Sequence, residues 1–210
     1  MKRRKFIRNS TQAGIGFSLL GIYSCKDEKK VVKEEENVEK DALMSMAPFF
    51  KLSLAQWSIH NMINNDGVDP YTFAEKAKNW GFEGLEYVSQ LYNKELEPAN
   101  YSKEAMQSFV DRSNAEAEKH GLKNVLIMID GQGDLAISDS KERKKAVENH
   151  YKWVEAAKFL GCHSIRVNAY ATSSDPEEGK TAAVDGLSRL TEFAKPYGLN
   201  VIVENHGGFS

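Results

Sequence analysis

From Phe49 onward the apolar positions fall into two alternating periods. Short β-rich runs follow stretches whose apolar residues recur every three to four positions. Four segments share one grammar: "NWGFEGLEYV", "KHGLKNVLIMI", "FLGCHSIRVNA" and "PYGLNVIVEN". Each reads as a helix end, a glycine and then a strand. The glycines are Gly81, Gly121, Gly161 and Gly198, spaced by 40, 40 and 37 residues. Glycine just past a helix is the common left-handed stop, and the recurring interval marks a repeated supersecondary unit. Asp69-Pro70 and Asp175-Pro176 predict helix starts with a capping carboxylate before proline; Ser102 and Ser140 are the expected caps of the other two helices. Met106, Phe109, Val110 and Ala117 fall on one helical face, and Trp80 and Trp153 are expected in the core.

With "FKLSLAQWSIH" as the first, five strands alternate with four helices. This order predicts parallel strands joined by helical crossovers, and apolar residues on both faces of most strands predict a sheet covered by helices. A doubly wound sheet and a partial (β/α)₈ barrel both satisfy the pattern. No G-x-G-x-x-G follows the first strand, so a dinucleotide fold loses support.

The strand ends carry the chemistry. The first run ends in Gln56, Ser58 and His60 at alternate positions; the second contains Glu86, and the third ends at Asp130. The fourth carries Arg166 and Asn168, and the fifth runs into Glu204 and His206. Residues two apart on a strand share a face, and parallel α/β folds build their sites at the C-terminal edge. A polar group on every strand at that edge predicts a site there. Gly131-Gln132-Gly133 reads as a tight turn, with Asp130 as its expected cap.

Charge separates the N-terminal region from the rest. Lys2, Arg3, Arg4, Lys5 and Arg8 stand in the first 24 residues with no acid. The whole chain has 28 Lys and Arg against 30 Asp and Glu; without those five bases, 23 face 30. That balance argues against wholesale nucleic-acid or anionic-membrane binding. Residues 1–25 read as an export signal: a basic start, a short apolar stretch and "GIYSC". The pattern resembles a twin-arginine signal ending in a lipoprotein box, which implies acylation of Cys25. The expected location is the periplasm or cell envelope, with a lipid anchor as the only membrane contact. Residues 26–48, opening with the charge-dense "KDEKKVVKEEENVEKD", read as a solvated tether. Residues 49–210 form the folded domain. With only Cys25 and Cys162, a disulfide scaffold is excluded, and Cys162 is expected to pack as a small buried residue.

"LSLAQWSIH", "GFEGLEYV", "IMIDGQGDL", "SIRVNA" and "VIVENHGG" together resemble the sugar phosphate isomerase/epimerase family, within the xylose isomerase-like TIM barrel superfamily. The resemblance implies an α/β fold: a partial (β/α)₈ barrel with about five units present and three C-terminal units missing, about 110 residues at the observed period. It implies that Glu204 binds a divalent metal (Mn, Mg, Co or Zn) and acts as an acid/base group. His60, Glu86, Arg166, Asn168 and His206 would bind a sugar or keto-sugar, and Arg166 would alternatively pair with Glu86. The family's remaining ligands, an Asp, a His and a second Glu, belong to later strands, so the metal site is expected to be incomplete and the 210-residue chain inactive alone. The function implied is a metal-dependent isomerase or epimerase that moves a proton next to a carbonyl. The alternatives are a non-catalytic sugar-binding remnant and, with less support, a metal phosphodiesterase like endonuclease IV.

Overall fold

The structure is a computed structural model that describes residues 50–205. The expected signal with Cys25, the tether and His206 lie outside the described residues.

Five strands form one parallel sheet in the order β1-β2-β3-β4-β5: β1 Ser53–Ala55, β2 Gly84–Val88, β3 Lys123–Ile129, β4 Ser164–Asn168 and β5 Asn200–Glu204. Each strand pairs with the next in sequence. A doubly wound sheet requires a reversal of strand order, and none occurs. The α/β architecture is that of a partial TIM barrel, as expected. Four principal helices cross between strands: α2 Phe73–Asn79, α4 Lys103–Lys119, α5 Ser140–Leu160 and α6 Pro176–Ala194. Two short ones, α1 His60–Asn64 and α3 Asn93–Leu96, sit in the loops after β1 and β2.

The expected helix signals are largely met. Asp69 accepts from Tyr71 N, Ser102 from Ala105 N and Asp175 from Glu177 N. One cap differs. Asp139, not Ser140, starts α5, because its carboxylate accepts from both Lys141 N and Glu142 N at 2.9 Å. The four interval glycines all have positive φ.

Alternation along β4 separates two environments. Ile165 and Val167 face the helices and are fully buried, whereas Ser164, Arg166 and Asn168 face the concave side. Behind the sheet, Trp153 packs edge-on to Phe109 and Tyr101, and Phe109 packs against Tyr92. Cys162 is buried as expected, and burial pushes its thiol up to about 12. Trp80 departs from expectation. It caps the C-terminus of α2 one residue before the chain turns, and its indole is 52 % exposed.

The larger correction concerns strand one. The extended run stops at Ala55, and Gln56–Ile59 form a 3₁₀ turn that leads into α1. Gln56, Ser58 and His60 therefore do not share a strand face. The cause is Gln56, which is fully buried: its amide donates to Tyr92 Oη (2.9 Å) and Pro70 O (3.1 Å), while its carbonyl accepts from Val88 N (3.1 Å). Ser58 Oγ donates back to Ala55 O at 2.6 Å, closing the turn. Three bonds to a core amide outweigh the extended preference of a short edge run.

Candidate active site at the strand ends

The C-terminal ends of β3, β4 and β5 bring three charged groups and an amide into one network. Register places Met128 beside Arg166 and Asn168 beside Glu204, so Arg166 lies one pleat deeper than the other two. Arg166 Nη1 donates to Glu204 Oε2 at 2.7 Å and to Asn168 Oδ1 at 3.1 Å, and stands 3.5 Å from Asp130 Oδ1. Asn168 Nδ2 completes the circuit to Asp130 Oδ1 at 2.7 Å. The amide orientation is fixed by its neighbours: oxygen toward the guanidinium, nitrogen toward the carboxylate. Asp130 is thus an anchor for Asn168 instead of a cap for its own turn. Its backbone is held as well, because Asp130 N donates to Ser89 Oγ at 3.0 Å and ties the exits of β2 and β3 together.

This network forms one wall of a cleft of about 490 Å³, lined also by Ala55, Trp57, Gln90, Met128, Gly131 and Tyr170. Volumes of 300–1,000 Å³ with a few convergent polar groups are usual for small-molecule sites. Glu204 is 41 % exposed and is the carboxylate most open to the cleft.

The other expected residues fall elsewhere. Glu86 shares the concave face, but Ala55 and Leu126 are its strand partners, one layer below Arg166; it accepts a hydrogen bond from Ser53 Oγ. The alternative partner offered for Arg166, Glu86, is not the one it takes: Arg166 pairs with Glu204 and Asp130. His60 does not line the cleft. Its ring stacks on Trp57 at 4.2 Å and 6°, with Nδ1 2.5 Å from Trp57 O. Trp57, 43 % exposed, occupies the position expected for a histidine. Gln132 is confirmed in a turn: Lys152 Nζ donates to its side-chain oxygen at 2.6 Å, and Asn149 Nδ2 to its backbone oxygen at 3.1 Å. Gly133 in that turn has φ +98°, and a Cβ there would meet Ala146 Cβ at 2.9 Å. Sequence reasoning missed Trp57, Gln90 and Tyr170 as lining residues; an exposed tryptophan next to a strand end was the available signal for the first.

A sequence profile described as xylose isomerase-like TIM barrel matches residues 74–210. The chain belongs to this family. No curated protein matches it by sequence at a significant level. Among solved structures it is similar to the IOLI protein with a bound zinc atom (TM-score 0.55, 18 % identity, covering 73 % of this chain and 51 % of that one). It is also similar to D-psicose 3-epimerase with D-tagatose from Clostridium cellulolyticum H10 (0.55, 15 %, 72 % and 51 %). A third is 3-keto-D-glucoside 4-epimerase from E. coli (0.51, 17 %, 63 % and 49 %). At these identities the likeness establishes the fold, and the chain spans about half the length of each. Two of these three structures are epimerases by name, and they share this architecture.

Whether the described residues suit a metal is a separate question. Among them, no three His, Cys, Asp or Glu side chains come together to hold an ion. The two nearest carboxylates, Asp130 and Glu204, already share one guanidinium, so a cation between them would have to displace Arg166. By themselves these residues do not fit a resident divalent metal.

Proposed function

We propose that this domain contributes its strand-end network to a sugar isomerase or epimerase that transfers a proton next to a carbonyl. The carrying observation is the Asp130–Asn168–Arg166–Glu204 circuit on the wall of the cleft. Family membership and the epimerases of the same fold support the reading. Glu204 takes the proton from the carbon beside the carbonyl, and the electron pair moves onto the carbonyl oxygen. Arg166 and Asn168 lie beside Glu204 with N–H groups that can hold that oxygen as charge develops. A second acid, from outside the described residues, would protonate the opposite face and give the epimer; protonation of the former carbonyl carbon, with the neighbouring hydroxyl passing its proton to the alkoxide oxygen, would give the isomer. The substrate class is a free sugar or keto-sugar.

The reading includes a divalent cation, which would supply Lewis acidity if Glu204 exchanged Arg166 for it and donors from outside the described residues completed the site. It also includes export and acylation at Cys25.

The test is solvent exchange. The complete gene product is incubated in D₂O with ketoses and keto-sugars, with Mg²⁺, Mn²⁺, Co²⁺ or Zn²⁺ added. The expected result is deuterium incorporation next to the carbonyl, lost in Glu204→Gln. Incorporation into no member of the panel overturns the reading, and cleavage of abasic DNA in its place would favour the phosphodiesterase alternative.

A further inference from the structure

We propose that Asp130 is a positioning residue: it is the standing counter-ion of Arg166, and it thereby frees the Glu204 carboxylate for the substrate. The inference rests on the role given to Glu204 above and assigns Asp130 a task beyond holding Asn168.

The two carboxylates that share Arg166 are held differently. Asp130 is fixed through both its backbone and its side chain. Its N–H donates to Ser89 Oγ at 3.0 Å, and the same hydroxyl donates to Asp130 O at 3.3 Å. Its carboxylate accepts from Asn168 Nδ2 at 2.7 Å. The Asp130 side chain is 18 % exposed, close to the 14 % of Arg166. Glu204 is the last residue of β5, the outermost strand of the sheet, and its carboxylate is the exposed one.

A guanidinium as buried as that of Arg166 is strongly destabilising once it loses its counter-charge. With Glu204 as sole partner, the carboxylate would be tied to Arg166 and kept from a substrate C–H. Asp130 removes that constraint, because its Oδ1 already lies 3.5 Å from the Nη1 that Glu204 holds at 2.7 Å. Closing that gap to hydrogen-bond length takes a shift of roughly 0.6 Å. Asn168 serves both seats in one orientation, its oxygen 3.1 Å from Nη1 and its nitrogen on Asp130. Glu86 is no third seat: it lies one layer below and accepts from Ser53 Oγ.

Charge stays balanced through the proposed reaction. Before proton transfer Arg166 faces two carboxylates. Afterwards Glu204 is neutral and the negative charge lies on the carbonyl oxygen. Asp130 still holds Arg166 at the cleft wall, where its N–H groups meet that charge.

Asp130→Asn separates the charge from the anchor, because an amide oxygen at this position still accepts from Asn168 Nδ2. The first measurement is urea unfolding of the full chain in a cycle of Asp130→Asn and Glu204→Gln. Each single change leaves Arg166 one carboxylate, and the pair leaves it none. The unfolding equilibrium constant of the double variant is expected to exceed the product of the single effects by about ten-fold. The excess should vanish when the cycle is repeated in Arg166→Met, or in Arg166→Gln should the former not fold. Additive effects, or an excess that survives the loss of Arg166, overturn the proposal. The second measurement is kinetic, on a substrate found by solvent exchange. Asp130→Asn is expected to lower kcat by about ten-fold with KM within about two-fold. An anchor for Asn168 alone predicts an unchanged kcat, and that result overturns the proposal. If nothing exchanges, the reading of the function fails, while the unfolding cycle still decides whether Arg166 has two seats.

Discussion

The two walls of the cleft follow different logic. On the β3–β5 wall, strand alternation runs unbroken to the edge, and Arg166, Asn168 and Glu204 meet because residues two apart share a face. On the β1 wall, alternation stops at Ala55, and the next polar residue, Gln56, turns into the core. A polar residue at a strand end is therefore not by itself a site residue. It becomes one where the neighbouring strand supplies a partner on the concave side, and a core residue where buried backbone groups claim it first.

The largest effect should come from breaking the second case. Gln56→Ala leaves Val88 N, Pro70 O and Tyr92 Oη without their partner and opens a void, and is expected to cost about 3–5 kcal/mol in urea unfolding. A loss below about 1 kcal/mol would mean that Gln56 is not what ends β1.

The helix layer behind the ordered wall gives the next effect. His150 on α5 is 2 % exposed and donates to Ala146 O at 2.7 Å; burial holds its imidazole down at about 4, from an ordinary 6.5. Between those values the unfolded chain binds the extra proton. Stability is thus full above about pH 6.5 and falls as the pH drops toward 4, by on the order of 3 kcal/mol. Urea unfolding from pH 7 to 5 should show the slope, and His150→Gln should flatten it.

Within the polar network, Arg166→Met leaves Asp130 and Glu204 without their shared cation and is expected to cost about 1–2 kcal/mol, between buried and surface ion pairs. Glu204→Gln, on the more exposed partner, should cost less than about 1 kcal/mol. A double-mutant cycle that gives no coupling would dissolve the wall as a unit. His60→Ala should be the mildest, within about 0.5 kcal/mol, since its ring only backs Trp57. A larger loss would restore the histidine to a structural or binding role.

Much of this was legible beforehand because it depends on local chemistry. Asp69, Ser102 and Asp175 cap helices through atoms two or three residues away, and the glycine interval reports a repeating unit. Arg166 and Asn168 were legible because residues two apart on a strand already define a face, and Glu204 because it ends the next strand. Trp80 was not: its helical spacing placed it toward the core, and only the abrupt end of α2 turned it to solvent. Asp130 was found at a strand end, but its bond to Asn168 spans 38 residues and has no local signal.

The order of elements, the parallel sheet and the polar edge follow from the sequence alone, because period, capping and turn chemistry act within a few residues. Tertiary structure alone decided which of those polar groups meet: that Gln56 enters the core, that His60 stands behind Trp57, and that one guanidinium serves two carboxylates. Those outcomes are competitions between distant groups for the same buried hydrogen-bonding partners, and such competitions are settled only when the strands are side by side.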